Sequence, residues 1–272
     1  YGFEALREGG RLYLAGPNDA GIKSAIADCA SLFGAADLLA YKGGNRVALF
    51  TRGADVGNDL PPSYQMPGLR ENTYYTFDVE FRGEHYCVCT RPGVFAWRGL
   101  DAGTRLLLDA IQVYSTDRVL DVGCGYGIIG AIAAKSAHQG TATLVDADTL
   151  ACESARATLA RNRIENAEVL LGDGLAAVEG RRFTLILSNP PFHSGHAVDY
   201  QIAEAFVRAS YDALEPRGRL IFVTNRFIPL NRLLAQCFSS VTTLAQTPQY
   251  HVLCAEKRAQ KSARNHSRQV RN

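Results

Sequence analysis

The fold is decided by residues 119–127, which run Val-Leu-Asp-Val-Gly-Cys-Gly-Tyr-Gly. The apolar run that carries Asp121 is typical of a buried strand, and the glycines at positions 123, 125 and 127 indicate a turn. The segment IIGAIAAKS that follows fits a buried helix. Because glycine has no Cβ atom, the backbone of such a turn can approach a nucleotide-like ligand closely. The stretch therefore predicts a strand, a ligand-binding turn and a helix.

Strand-like and helix-like segments alternate from Asp117 onward. The strand-like segments are RVLDV at 118–122, TATLVD at 141–146, AEVLL at 167–171, FTLILS at 183–188 and RLIFVT at 219–224. Before the last of them, apolar residues recur on one face of a long helix, which we expect to pack on the sheet. These residues are Ile202, Phe206, Ala209 and Ala213. With a hairpin over Tyr74–Thr90 and a helix over Gly103–Tyr114 ahead of it, the pattern predicts an α/β domain with a doubly wound, mostly parallel sheet.

Two parts of the chain resemble each other. Residues 5–12 align with residues 213–220, and Val47–Leu49 takes the place of Val252–Cys254. We therefore expect residues 1–56 to be the C-terminal part of a second, related α/β domain. Three prolines and two glycines predict a linker over 57–72.

The composition is that of a globular protein. The 272 residues are 47% hydrophobic and 21% charged, which excludes disordered and fibrous classes, and no apolar run reaches the roughly 18 residues of a membrane span. Seven cysteines without a C-x-x-C pair predict reduced, cytoplasmic thiols and no metal site. Residues 257–272 carry six positive charges and no acid. They predict a disordered basic arm that contacts phosphates or only aids solubility.

The glycine turn alone leaves two cofactors open. Gly125-x-Gly127-x-x-Gly130 also fits the fingerprint of dinucleotide sites, and Asp146 after the next strand can bind a ribose in NAD or in S-adenosylmethionine. Two features favour S-adenosylmethionine. Asp121 precedes the first glycine, where it can meet a cationic amino-acid group, and the strand at 183–188 leads into a Ser-Asn-Pro-Pro-Phe-His segment that a dehydrogenase does not need.

The segment Asn189-Pro190-Pro191-Phe192 suits the recognition of a planar amine. Two prolines fix φ and lack N–H groups, so the loop is stiff. The Asn189 side-chain oxygen and the Pro190 carbonyl can each accept one hydrogen of the amine, while Phe192 stacks on its ring. The segment predicts methyl transfer to an exocyclic amine, and a purely structural loop with a core phenylalanine is the alternative.

Together these motifs resemble the class I S-adenosylmethionine-dependent methyltransferases, and among them the bacterial ribosomal RNA guanine-N2 methyltransferases. The resemblance implies a Rossmann-like, seven-stranded catalytic domain over 73–256, preceded over 1–56 by part of a degenerate copy. It implies that the cofactor is bound by Asp121, Gly123, Gly125, Thr104, Asp146 (ribose), Asp173 (adenine) and Asn189. It also implies catalysis by Asn189, Pro190 and Phe192, substrate contacts from Phe192 and His193, and no metal.

The function implied by the resemblance is methylation of a guanine N2 in ribosomal RNA, most of all small-subunit RNA. The expected enzyme is a cytoplasmic monomer whose partner is the RNA or a ribosomal subunit, with no membrane contact. Two alternatives stay open. A protein glutamine N-methyltransferase shares an N-P-P-aromatic loop, although that family usually has Tyr at the position of Phe192. A non-catalytic RNA-binding assembly protein would keep the fold without the reaction, and a cofactor titration separates it from an enzyme.

Overall fold

The computed structural model describes residues 2–54, 66–70, 72–190, 193–194, 197–198 and 200–259. The chain divides into two compact units, residues 1–70 and residues 71–272. Their boundary falls inside the segment predicted as a linker, of which residues 57–65 and 71 lie outside the described residues. Only residues 257–259 of the predicted basic arm are described.

The first unit is a three-stranded antiparallel sheet with two helices. Its elements are α1 (Gly2–Ala5), β1 (Arg11–Pro17), α2 (Ile22–Phe33), β2 (Asp37–Lys42) and β3 (Asn45–Thr51). The strand order is β1-β3-β2. Phe33, Ala48 and Phe50 are the buried centre of its core.

The second unit has a hairpin followed by alternating strands and helices. Its strands are β4 (Tyr75–Phe81), β5 (Glu84–Thr90), β6 (Arg118–Val122), β7 (Thr141–Asp146), β8 (Ala167–Leu171), β9 (Phe183–Ser188), β10 (His193–Ser194), β11 (Ala197–Val198), β12 (Leu214–Asn225), β13 (Ser240–Gln246) and β14 (Tyr250–Glu256). Its helices are α3 (Ala102–Ala110), α4 (Ile128–Ser136), α5 (Thr149–Arg161), α6 (Tyr200–Ala213) and α7 (Asn231–Cys237).

Seven of these strands form one sheet in the order β13-β14-β12-β9-β6-β7-β8. The five strands from β12 to β8 are parallel, and β14 runs antiparallel to both of its neighbours. Successive residues of β6 enter different cores, Val119 on one face of the sheet and Leu120 on the other. The predicted Rossmann-like, doubly wound sheet is confirmed. The strand order reverses between β6 and β9, which is where such sheets bind ligands.

The hairpin is held by side chains of α5. Thr158 accepts a hydrogen bond from the N–H of Cys89 at 3.0 Å and donates one to its carbonyl at 3.1 Å, and Asn162 pairs with both backbone groups of Cys87 at 2.9 and 2.8 Å. Arg91, which is 2% exposed, adds an ion pair with Glu153 at 2.6 Å. Helix α5 therefore fixes the start of the segment that connects the hairpin to α3.

The helix predicted over Gly103–Tyr114 ends earlier, at Ala110. Ile111 is extended, with φ −71° and ψ 143°. The carbonyls of Ile111 and Gln112 accept hydrogen bonds from the guanidinium groups of Arg82 and Arg219, both at 2.9 Å. Since two arginines satisfy carbonyls near the end of α3, the chain can leave the helix there.

The apolar stripe of α6 packs on the sheet only in part, through Ala213 and through Phe206, whose ring lies edge-on against Phe222 of β12 at 6.0 Å between centroids. Of the four stripe residues only Ala213 is buried, and Ile202 is 51% exposed. The other buried positions of the helix are Ala203, Val207 and Ser210. Ile202, Phe206 and Ala209 line a cavity. The helical period was predicted correctly. A local sequence pattern does not show, however, that one face of a helix lines a cavity.

The two units share the pairing of their last strands. β1 pairs with β3 from Arg11↔Thr51 to Pro17↔Asn45, and β12 pairs with β14 in the matching register from Arg219↔Glu256 to Asn225↔Tyr250. The third strand of each set, β2 or β13, has its register shift at the matching position. These agreements support an internal repeat.

A basic side chain after the last strand makes matching contacts in each of the two units. Arg52 donates to the carbonyls of Phe3, at 3.0 Å, and Leu6, and Lys257 donates to those of Tyr211, at 2.7 Å, and Leu214, at 2.8 Å. Each cation also lies over the ring of its matching aromatic residue, Phe3 or Tyr211. Lys257 is thus a fixed part of the fold, so its assignment to a disordered arm was wrong. Residues 260–272 lie outside the described residues.

Three further properties hold for the part of the chain that the structure describes. Among the helices that the structure describes, none has the length and apolar character needed to cross a membrane. All seven cysteines are free thiols. In the described residues no three His, Cys, Asp or Glu side chains come together as metal ligands would.

Asp117→Ala tests how much the Asp117 carboxylate, directly before β6, stabilises the fold. The buried Asp117 carboxylate accepts from the Tyr114 N–H at 2.8 Å, from Arg219 at 3.0 Å and from the Thr184 hydroxyl at 2.7 Å. We expect the free energy of unfolding to fall by about 3 kcal/mol because the substitution leaves these donors unpaired. Urea denaturation followed by circular dichroism measures the loss.

The control is Glu204→Ala, which breaks an exposed ion pair with Arg208 on α6. Exposed pairs contribute little, so its denaturation midpoint should stay near that of the wild type. Equal midpoints for the two variants would contradict the structural role of Asp117.

Candidate active site

A cavity of about 1070 Å³ lies at the carboxyl ends of β6, β7 and β9. Its position is the point where the strand order reverses. The volume is at the upper end of the range for small-molecule sites, so it can take a nucleoside-sized ligand and a second ring together. The glycine turn after β6 forms one side, and Asn189 and Pro190 form another.

The turn after β6 lies directly on the end of β7. The N–H groups of Gly123 and Cys124 both donate to the Val145 carbonyl, at 2.8 and 3.0 Å, and the Gly125 N–H donates to Asp146 at 2.8 Å. A Cβ atom at Gly130 would overlap the side chain of Leu144, which is fully buried. Glycine at this position therefore lets α4 approach β7 and carry the turn to the cavity.

Asp121, which the sequence predicted to contact the ligand, is not among the described residues that line the cavity. Its side chain is fully buried behind the turn, and Oδ2 accepts the Gly130 N–H at 2.8 Å. Oδ1 is buried without a hydrogen-bond partner. Burial raises the pKa of Asp121 to about 7, with the Asp146 charge adding to the shift. The prediction of direct contact with a cationic ligand is therefore wrong for this structure, in which Asp121 holds the start of α4.

Three of the carboxylates that line the cavity lie at or just after the carboxyl ends of β7 and β8. Asp146 accepts from the N–H groups of Gly125 and Asp148, and Asp148 caps α5 by accepting the Leu150 N–H at 2.9 Å. Asp173 follows β8, is exposed, and makes no capping hydrogen bond with its side chain. Asp146 and Asp173, the predicted ribose and adenine contacts, thus both line the cavity.

The charge of the cavity distinguishes between NAD and S-adenosylmethionine, the two cofactors that are compatible with the glycine turn. Asp101, Asp146, Asp148 and Asp173 all line it, and the described lining residues include no Lys or Arg. A dinucleotide would bring its pyrophosphate among these carboxylates, which repel it. A sulfonium cation with an ammonium group and a nucleoside is attracted instead, so the residues present fit S-adenosylmethionine.

At the other side of the cavity, Asn189 follows β9. Its Nδ2 donates to Asp101 Oδ2 at 3.1 Å and to Thr104 Oγ1 at 2.9 Å. Ser188, just before it, donates to the Val122 carbonyl at 2.7 Å and ties the ends of β9 and β6 together. Thr104, predicted as a cofactor ligand, lines the cavity and binds Asn189. Phe192 and the side chain of His193 lie outside the described residues.

Sequence reasoning gave no individual role to three residues of this site, although the resemblance placed Phe95 and Asp101 in a segment beside the cofactor. Asp101 accepts the Thr104 N–H at 3.0 Å as the N-cap of α3, a role that its D-x-x-T spacing signals. Tyr126 packs edge-on against Phe77 and donates to the Gly99 carbonyl at 3.3 Å, and burial raises the pKa of its hydroxyl to about 12. Phe95 lines the cavity and is 65% exposed, which no local pattern indicates.

A seven-stranded sheet in this order, with an acid-lined cavity where the strand order reverses, is the fold of the class I S-adenosylmethionine-dependent methyltransferases. The family model described as methyltransferase small domain matches residues 85–254. A ribosomal RNA small subunit methyltransferase C of Pseudoalteromonas atlantica is 33% identical over 261 residues, which are 93% of this chain and 70% of that protein. The protein of the same name from Haemophilus influenzae is 39% identical over 62% of this chain and 51% of its own length.

A solved structure is also similar to this chain. It is a T. thermophilus 16S rRNA N2 methyltransferase in complex with AdoMet and guanosine, with a TM-score of 0.82 and 32% identity over 94% of this chain and 67% of that chain. The chain therefore belongs to the family of ribosomal RNA small subunit methyltransferase C. It spans about half the length of most of the curated relatives that it matches.

Asp121→Asn tests the buried carboxyl group. A carboxyl group whose folded pKa lies near 7 favours the folded state while it is protonated, and this contribution is lost as the pH rises from about 4 to about 7. Asn cannot ionise and keeps an acceptor for the Gly130 N–H. We expect the variant to gain free energy of unfolding relative to the wild type between pH 5 and pH 8, measured by urea denaturation.

Glu165→Gln removes one exposed charge from the same unit and serves as the control. Its stability should follow the wild-type pH dependence. A constant difference between Asp121→Asn and the wild type over this range would contradict a raised pKa.

Proposed function

We propose that this chain transfers a methyl group from S-adenosylmethionine to the exocyclic N2 of a guanine in ribosomal RNA of the small subunit. One observation carries the proposal: a single cavity joins the acid-lined end to Asn189 and Pro190. The names of the relatives, and the guanosine bound to the T. thermophilus enzyme, agree with it.

The chain contributes binding and orientation. Asp146 and Asp173 hold the nucleoside part of the cofactor, and the turn at Gly123 and Gly125 admits its methionine part. When bound, S-adenosylmethionine supplies a methyl group already activated by the sulfonium charge. Asn189 and the Pro190 carbonyl accept the hydrogens of the amine, so its nitrogen lone pair is directed at the methyl donor, and alignment of this kind supplies much of the rate.

Several parts of the proposal lie outside the described residues or rest on sequence. Phe192 stacks on the guanine, and His193 supports it on the substrate side. Residues 1–56 are the C-terminal part of a degenerate methyltransferase-like domain, and the catalytic domain follows the linker at 57–72. We expect a monomer acting in the cytoplasm, where ribosomal RNA and reduced thiols are found together.

The first experiment is transfer of labelled methyl from S-adenosylmethionine to ribosomal RNA and to 30S subunits from a strain that lacks this modification. Nucleoside analysis should show N2-methylguanosine. Label in a protein factor and none in RNA would contradict the proposal and favour the glutamine alternative. Cofactor binding without transfer to any acceptor would favour the non-catalytic alternative.

Two substitutions should separate the acceptor side from the cofactor side. Asn189→Ala should lower kcat by at least about 100-fold, because the amine loses its orientation, and leave the cofactor Kd within about 3-fold. Asp173→Ala should instead raise the cofactor Kd by about 10-fold, because it removes a charged hydrogen-bond acceptor. Isothermal titration gives Kd and single-turnover transfer gives the rate. Near-normal turnover of Asn189→Ala would refute the mechanism.

The control for the second substitution is Glu179→Ala. Glu179 is also exposed and lies directly after the short 3-10 helix Gly174–Val178, which Asp173 precedes, but Glu179 is not among the described residues that line the cavity. An equal change in Kd for Glu179→Ala and Asp173→Ala would mean that the effect is one of overall charge.

A further inference from the structure

Both amide hydrogens of Asn189 are used by the protein. One donates to Asp101 Oδ2 at 3.1 Å and the other to Thr104 Oγ1 at 2.9 Å. A side-chain amide has two donor hydrogens, so the nitrogen has no further hydrogen to offer. Within the described residues the Asn189 side chain makes no other hydrogen bond, and it lines the cavity. Its oxygen Oδ1 is therefore the polar atom left for a ligand.

The identity of the partner fixes which end of the amide faces the cavity. An ionised carboxylate only accepts hydrogen bonds, so the group beside Asp101 must be the NH₂ and not the oxygen. Rotating the amide by half a turn would place Oδ1 against the carboxylate and lose the hydrogen bond to Asp101, whereas the Thr104 hydroxyl can donate or accept and so binds either end of the amide. The NH₂ would then face the cavity, where it meets the hydrogens of a substrate amine and cannot accept them.

Asp101 is itself held in place. Its Oδ2 also accepts the Thr104 N–H at 3.0 Å, so one carboxylate oxygen caps α3 and binds Asn189. Gly103 leaves the room for this oxygen, because a Cβ atom there would lie 3.0 Å from Asp101 Oδ2 and 3.4 Å from the ring of Tyr250. The hydrogen bond of Tyr126 to Gly99 fixes the preceding backbone. The segment 99–104 thus presents two fixed acceptors to an amide that is 85 residues or more away in sequence.

We propose that Asp101 and Thr104 are positioning residues that act through Asn189, and that they set its amide so that Oδ1 accepts a hydrogen of the substrate amine. This inference rests on the proposed function for its chemical meaning, because only an amine acceptor requires this orientation. It replaces the predicted role of Thr104 as a cofactor ligand. The two roles differ in what they change: a cofactor ligand changes the cofactor Kd, whereas a positioning residue changes kcat.

Four variants separate these roles. Thr104→Val removes the hydroxyl acceptor at nearly constant shape, and Thr104→Ser restores it. Asp101→Ser keeps a good helix N-cap but removes the carboxylate that reaches Asn189. Gly103→Ala removes no polar group and crowds Asp101 Oδ2. Thermal unfolding of all four confirms that they fold.

The first measurement does not depend on activity. In ¹⁵N-labelled protein, the Asn189 NH₂ signals, assigned by their loss in Asn189→Ala, should exchange slowly with water in the wild type. In Thr104→Val and Asp101→Ser, exchange should be at least about 10-fold faster, because one hydrogen bond is missing. Asn166 is the internal control, since its Nδ2 donates to the carbonyls of Ala134 and Ala137 at 2.9 and 3.0 Å. Exchange of the wild-type Asn189 hydrogens at the rate of an exposed side-chain amide would overturn the inference.

The second measurement is single-turnover methyl transfer to 30S subunits with saturating cofactor. We expect the single-turnover rate constant to fall by at least about 10-fold in Thr104→Val, Asp101→Ser and Gly103→Ala, and to stay near the wild-type value in Thr104→Ser. The cofactor Kd should stay within about 3-fold in the two Thr104 variants and in Gly103→Ala, which remove no charge from the cavity. A Thr104→Val variant with a raised Kd and unchanged kcat would overturn the inference and restore the cofactor role. If the wild type makes no N2-methylguanosine, the proposed function fails, and the exchange measurement alone decides whether Asp101 and Thr104 hold the amide.

Discussion

Helix α4 lies so close to β7 that a side chain at Gly130 would overlap Leu144, and the site depends on this contact. The close approach brings the preceding turn onto the end of β7, where its N–H groups reach Val145 and Asp146. It also places the Gly130 N–H against Asp121, which is buried as a result. A larger residue at position 130 would separate the helix from the strand and take the turn away from the cavity. Because Gly130 has no Cβ atom, the glycine turn can take its position at the cofactor end of the cavity.

The polar groups of the cavity are mostly held before any ligand binds. Backbone N–H groups bind Asp146 and cap-type hydrogen bonds hold Asp101 and Asp148, while Asn189 is held by side chains. Groups that are fixed in advance need little reorganisation when a reaction begins, which is the main contribution that a protein can make to a transfer between two reactive partners. Asp173 is the exception, since its carboxylate makes no cap hydrogen bond, and it lies at the adenine end, away from Asn189 in the proposed arrangement.

The parts of the fold that could be predicted from sequence are those fixed by local composition. Strands β6 to β9 have the predicted bounds. For β6, β7 and β9 the reason is that strands buried on both faces are continuous apolar runs between turns. The end of α3 could not be predicted, since it depends on Arg82 and Arg219 from other elements. The role of Asp121 was misjudged for the same reason. A motif gives the residue types near a ligand, whereas which side chain faces it is set by partners far away in the sequence, as Asp101 is for Asn189.

The repeated strand motif has a consequence for how natural variants of this chain are interpreted. Gly9 and Arg217 share a left-handed backbone, with φ of 70° and 66°, and Gly10 and Gly218 both lie too close to a carbonyl to accept a side chain. Residues 2–54 of the first unit contain no acid-lined glycine turn like that after β6, yet they keep this geometry. The same strand geometry therefore occurs in both units, with and without such a turn in the described residues. An allele altered at Gly218 or Lys257 is best classified as a defect of protein abundance, even when the phenotype is loss of the enzyme.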